Sequence, residues 1–139
     1  MPRLTKQYKF CAAHRYWNDE WTEEKNIEIF RDDVKLHGHN YQLDITVSGP
    51  IDESSGFIIN IQDLNAVVNA HVIKFLDHSQ IEKDIPWFEK KQPSTENMVL
   101  FIWEQLADKI PLPAALYSIK LRETSTIYTE YFGPEKKND

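Results

Sequence analysis

Hydrophobic and polar positions alternate with period two in two long stretches of the chain. Leu4, Tyr8, Phe10 and Ala12 interleave with Lys and Gln, which predicts a strand over Leu4–His14. Tyr41, Leu43, Ile45 and Val47 alternate more cleanly, predicting a half-buried strand over His39–Ser48. After the turn-forming "SGPIDESSG", the apolar "FIINI" reads as a return strand, making a hairpin with a longer loop.

The period then lengthens. Asn60 is a candidate N-cap with Asp63 at the third helical position, and Leu64, Val67, Val68, His71, Val72 and Phe75 recur at helical spacing until "FLDH". A loop with Pro86 and Pro93 leads to a second helix, capped by Ser94 or Thr95, with Met98, Phe101, Ile102 and Leu106 on one face and "PLP" as its stop. Tyr117, Ile119 and Leu121 alternate again, and "STIYTEYF" returns after a turn near Ser125. The predicted order is ββααββ, an α+β fold with a four-stranded antiparallel sheet and two helices; "EKKND" reads as a frayed tail. Tyr16–Lys35 is charged and aperiodic and reads as a long loop with room for one helical turn.

Composition narrows the class. A length of 139 residues is that of a single domain, here 1–139, since domains cluster at roughly 100–150 residues. No apolar run approaches the ~20 residues that span a bilayer, so a soluble protein is expected. The N-terminal stretch lacks the roughly 7–15-residue apolar segment of a signal peptide, and Cys11, alone, makes no internal disulfide; a reducing cytoplasm fits best. Acidic residues number 22 against 16 basic, and no basic stripe is available to neutralise a phosphate backbone, which argues against nucleic acid.

Candidate chemistry gathers at "LHGHN". Alternate strand residues share a face, so His37 and His39 present both imidazoles to one side, with Gly38 allowing close approach. By the same parity Phe10, Ala12 and His14 share a face, which makes His14 a candidate third ligand. Three histidines leave one tetrahedral position open, the pattern of catalytic rather than structural zinc. On spacing alone the pair also fits two surface imidazoles, and mid-helix His71 has no assigned role.

Six segments, in order, resemble the family of 6-pyruvoyl-tetrahydropterin synthase and its bacterial relative 6-carboxy-tetrahydropterin synthase: "FCAAHR", "HGHNY", "GFIINIQDL", "FLDH", "PSTEN" and "LRET". The resemblance implies the tunnelling fold (T-fold), in which sheets of three subunits close into a barrel and two trimers stack into a homohexamer with active sites between subunits. It implies Zn2+ held by His14, His37 and His39, and a proton-relay pair formed by Asp77 and His78. Glu123 would anchor the pterin's 2-amino and ring N–H groups, assisted by Ser94 and Thr95, since two adjacent donors match two carboxylate oxygens. Without the resemblance, Asp77–His78 reads as a local ion pair at a helix end, Thr95 as a cap and Glu123 as a strand carboxylate.

One motif departs from the family, whose catalytic cysteine lies a few residues before the paired histidines. Here "FRDDVKL" occupies that region, with Asp33 at the corresponding position in the bacterial spacing and no thiol. Cys11 is no substitute, because regular strand parity turns it away from His14. An aspartate, with an ordinary pKa near 3.9, is a much weaker base than a thiolate near 8.5 unless burial raises it.

The leading reading is therefore a zinc-dependent lyase acting on 7,8-dihydroneopterin triphosphate, in queuosine, tetrahydrobiopterin or folate biosynthesis. Arg15, Lys35 and Arg122 are candidates for the phosphates. A second reading is a cysteine-less, side-chain-cleaving enzyme that yields 6-hydroxymethyl-7,8-dihydropterin with Asp33 or Asp32 as base. A third is a catalytically silent zinc- and pterin-binding protein.

Overall fold

The computed structural model describes residues 1–135, so the expected fraying of "EKKND" falls, from Lys136 on, outside the described residues. Strand β1 (Arg3–His14) is followed by helix α1 (Glu23–Phe30), a 3₁₀ turn (Arg31–Val34) and β2 (His37–Ser48). Helix α2 (Ile61–Val68) continues through a π turn (Asn69–Ile73) into α3 (Lys74–Leu76), and β3 (Ser79–Gln80) and α4 (Ile81–Asp84) follow. Helix α5 (Thr95–Leu106) precedes the hairpin of β4 (Ala115–Thr124) and β5 (Ile127–Tyr131).

The sheet has the order β3-β1-β2-β4-β5, antiparallel except where two-residue β3 runs parallel to β1. It thus has five strands rather than the four expected; β3 is too short to leave a periodic signal. One face carries Phe10, Leu43, Ile45, Ile119 and Leu121, all buried. Leu64, Val68, Val72 and Leu76 from the α2–α3 helix and Met98, Ile102 and Leu106 from α5 are buried in the same core. The opposite face leaves Gln7, Lys9 and Cys11 exposed along β1.

Three further expectations are corrected. "FIINI" is not a strand. Asp52 Oδ1 accepts from the Ser54 and Ser55 amides and the Ser54 hydroxyl, curling the segment, and Asn60 caps α2 directly after it. Both edges of β2 are already occupied, by β1 and β4, so a return strand had nowhere to pair.

The Tyr16–Lys35 segment holds two turns of α-helix and a 3₁₀ turn where a long loop with room for one helical turn was expected. Thr22 Oγ1 caps α1 by accepting from the Lys25 amide, and the buried Asn26 side chain fastens the preceding turn. Asn26 Oδ1 accepts from the Asn18 amide at 2.7 Å while Nδ2 donates to the Asn18 and Thr22 carbonyls. Beside these polar ties Phe30 stacks on Tyr16 and Trp21, while Ile27 and Ile29 are exposed, so the helix carries no apolar stripe to read.

The core stripe after Asn60 also differs. The wider π turn converts it to Leu64, Val68, Val72 and Leu76, four residues apart, and Phe75 is left 51% exposed.

Candidate metal centre

His14 closes β1 and His37 opens β2, and the two are direct partners across the antiparallel ladder. His39, two residues on, points to the same face, as alternation requires. Their ligand atoms all lie within 4.8 Å of one another, with His14 buried and the other two half-buried. Gly38 makes the crossing possible: a Cβ there would sit 3.3 Å from the Ala12 carbonyl oxygen, tighter than ordinary contact.

The ring tautomers follow from the carbonyls around them. His14 Nδ1 donates to the Pro93 carbonyl at 2.8 Å, and His37 Nδ1 to that of Lys35 at 2.7 Å. Each neutral ring therefore presents an Nε2 lone pair, and these two nitrogens face each other at 3.0 Å. Two acceptors at that distance repel unless a proton or a metal ion lies between them. His39 Nε2 is buried without a hydrogen bond, although Glu123 Oε1 lies 3.0 Å away, which leaves its lone pair available to a metal. Backbone carbonyls fixing Nδ1–H while Nε2 stays free is the outer-shell arrangement of metal-ligating histidines. The donor set fits zinc, for which imidazole is a preferred ligand.

Glu123, inward-facing on β4 like Ile119 and Leu121, completes the cluster. Its Oε1 lies 3.0 Å from His39 Nε2 and 3.4 Å from His14 Nε2. Contact with His14 and the charges of His39 and His37 hold its carboxyl below the usual range, despite partial burial. Burial lowers the His39 pKa from 6.5, with Glu123 pulling the other way, so the ring is neutral and able to ligate near pH 7. Tyr16 and Tyr41 pack on His14 with ring centroids 5.0 and 6.3 Å away, and burial pushes both phenols up, keeping them protonated.

Asp77 and His78 lie where α3 meets β3 and are tied to β1. Asp77 Oδ1 accepts from the Cys11 amide at 3.0 Å, Oδ2 lies 3.0 Å from His78 Nδ1, and the His78 amide donates to the Cys11 carbonyl. His78 adopts φ +63 and its side chain is 82% exposed, with Nδ1 engaged by the carboxylate. An open cleft is lined by Cys11, Gly38, His39, Asn40, His78 and Ser79. Cys11 faces away from His14, and its thiol donates to Asn40 Oδ1.

Asp33 lies beside the cluster, its Oδ1 3.7 Å from His37 Nε2 and its side chain 62% exposed. Ser94 and Thr95 both have structural partners. Ser94 Oγ caps α5 by accepting from the Asn97 amide, and buried Thr95 bonds Thr129 and Glu96. Of the basic candidates, Arg122 lies over Tyr128 and donates to the Ser125 carbonyl, and Arg15 lies over Trp17. His71 is half-buried in the π turn. Sequence reasoning missed Tyr16, Tyr41 and the Pro93 and Lys35 carbonyls; only the proximity of Lys35 to the histidines hinted at any of them.

The family model described as 6-pyruvoyl tetrahydropterin synthase matches residues 3–134. The chain is 34% identical to 6-pyruvoyl tetrahydrobiopterin synthase of Drosophila melanogaster, over 97% of this chain and 82% of the relative. It is also 31% identical to dihydroneopterin monophosphate aldolase of Pyrococcus furiosus, over 96% and 95% of the two chains. The solved structure of Caenorhabditis elegans 6-pyruvoyl tetrahydropterin synthase superposes with a TM-score of 0.87 at 28% identity, covering 96% of this chain and 98% of that one. With this match the expected tunnelling fold is established for the subunit, and the chain belongs to the 6-pyruvoyl tetrahydropterin synthase family.

Proposed function

We propose that this lyase of pterin biosynthesis depends on zinc held by His14, His37 and His39 and acts on 7,8-dihydroneopterin triphosphate. The observation that carries the reading is the facing pair of Nε2 atoms, both Nδ1 positions committed to carbonyls, with a third orphaned imidazole nitrogen beside them. Zinc bound there supplies Lewis acidity toward an oxygen of the substrate side chain.

The chain's own residues divide the remaining work. Glu123, ionised and half-buried, accepts the paired N–H donors of the pterin edge and so fixes which end of the substrate faces the histidines. Asp77 holds His78 by Nδ1, leaving Nε2 to take up or return a proton. Tyr16 and Tyr41 wall the His14 side against water.

A second reading, side-chain cleavage to 6-hydroxymethyl-7,8-dihydropterin, draws on the absent thiol. The only carboxylate of the "RDDV" turn with a contact to the cluster is Asp33, and a relative of nearly equal length is named an aldolase. On this reading Asp33 is the base, and Asp33→Asn abolishes product while zinc remains bound; unchanged turnover would remove Asp33 from the mechanism.

We further propose a cytoplasmic homohexamer, a dimer of trimers, with active sites between subunits. The exposed polar positions of β1 and the outer edge of β5, which has no partner strand among the described residues, support it, because barrel closure with neighbouring copies would cover both.

The zinc site is tested with His37→Ala. Zinc content near one per chain in the parent and near zero in the variant, with turnover lost in parallel, is expected. Full zinc content and full turnover in His37→Ala would refute the site.

A further inference from the structure

We infer that Gln92 is a positioning residue for His14: its side chain fixes the Pro93 carbonyl, and that carbonyl decides which ring nitrogen of His14 carries the proton. The part this gives Gln92 in metal binding rests on the zinc reading above.

Past His14 the chain leaves the β1–β2 ladder, whose last pair is His14 with His37, yet each of the next three amides is held from outside the sheet. The Arg15 amide donates to Glu82 Oε1 at 2.7 Å, the Tyr16 amide to the Asp33 carbonyl at 2.9 Å, and the Trp17 amide to Gln92 Oε1 at 3.1 Å. Of these holders Gln92 binds twice. Its Nε2 donates back to the Trp17 carbonyl at 2.8 Å, so one side-chain amide closes a two-point clasp on the backbone of Trp17. The main chain of Gln92 is fixed as well, because its carbonyl accepts from Asn97 Nδ2 at 2.9 Å. The next residue is buried Pro93, which has no N–H with which to anchor itself. Its place is set by Gln92 before it and by Ser94, the cap of α5, after it.

The consequence is a contest at His14 Nδ1. The Pro93 carbonyl, 2.8 Å away, can only accept, so it puts the ring proton on Nδ1 and leaves Nε2 with a lone pair. The Tyr41 hydroxyl lies 3.4 Å from the same nitrogen and, kept protonated by burial, is able to donate. Were it to take over, the proton would move to Nε2, and the lone pair that faces His37 would be lost to a metal. The shorter contact wins while the clasp holds Pro93 in place. A clasp that only closed the loop would add stability without touching the ring proton.

The test uses the full-length chain and its variants. Gln92→Met keeps the length of the side chain and removes both hydrogen bonds; Gln92→Glu keeps only the acceptor for the Trp17 amide; a double variant adds Tyr41→Phe to Gln92→Met. Proton–nitrogen correlation NMR of isotope-labelled histidine in metal-free protein, at a pH where the rings are neutral, reads the tautomer of His14, and chelator competition reads zinc affinity. The parent is expected in the Nδ1–H form. In Gln92→Met the population shifts to Nε2–H and zinc affinity falls about 10-fold, the lower end of the roughly 10- to 100-fold that loss of an outer-shell partner costs. Gln92→Glu falls between the two, and Tyr41→Phe returns the Nδ1–H form to the Gln92→Met protein. An Nδ1–H ring or an unchanged zinc affinity in Gln92→Met, whatever happens to its melting temperature, would overturn the inference and leave Gln92 a loop fastener. Parent protein that binds no zinc would refute the zinc reading, while the tautomers, measured without metal, still decide what Gln92 does to His14. Should Gln92→Met fail to fold, Gln92→Glu decides by the same two readouts.

Discussion

His14 and His37 show how a residue's role is set by what holds its far nitrogen. Two backbone carbonyls, those of Pro93 and Lys35, convert an H-x-H pair and a distant histidine into converging lone pairs. Asn26 is the polar counterpart: fully buried, it satisfies three backbone groups and fixes the segment ahead of Asp33. Asn26→Ala should lower stability by about 1–3 kcal/mol, since it leaves the half-buried Asn18 amide and two carbonyls without their partner, and thermal unfolding measures this; an unchanged midpoint would contradict it. At Asp77, the Cys11 amide and then His78 hold the carboxyl below its ordinary 3.8. A carboxylate depressed in the folded state contributes above its unfolded pKa and loses that contribution as pH falls through the lower folded value. The tie to β1 should therefore persist from neutral pH to below 3.8, and an NMR titration of Asp77 with a midpoint at or above 3.8 would contradict it.

The strands were readable because period two survives wherever one face is buried: β1, β2, β4 and the stripe of α5 appear where alternation and spacing put them. Elements stabilised by other means were not. Helix α1 depends on a threonine cap and a buried asparagine, β3 has two residues, and the π turn shifts a helical stripe by one position. "FIINI" misled because an apolar run says nothing about whether a sheet edge is free. The histidines could be placed by parity, whereas the approach of Glu123 and the tie of Asp77 to Cys11 depend on tertiary registration. The π turn makes a sharp prediction for neighbouring residues. Leu76→Ala, at a fully buried site, should cost about 2–5 kcal/mol, while Phe75→Ala, half exposed in the subunit, should cost far less. Denaturant midpoints separate the two; equal losses would mean that the stripe follows ordinary helical spacing.

For the molecule as a whole, one helix-covered face and one polar face describe a subunit suited to closing a barrel with copies of itself. Light scattering should give six times the 16.4 kDa chain mass, and a monomer at micromolar concentration would contradict the proposed assembly. On the proposed function, a family member without the usual thiol transforms its pterin through a three-histidine zinc centre. The most direct measurement incubates the zinc-loaded protein with 7,8-dihydroneopterin triphosphate and resolves the products by mass, with a chelator-treated control. Conversion to a 6-pyruvoyl, 6-carboxy or 6-hydroxymethyl pterin, abolished by metal removal, is the predicted result. Substrate left unconsumed by protein shown to hold both zinc and pterin would contradict the claim and leave a binding protein.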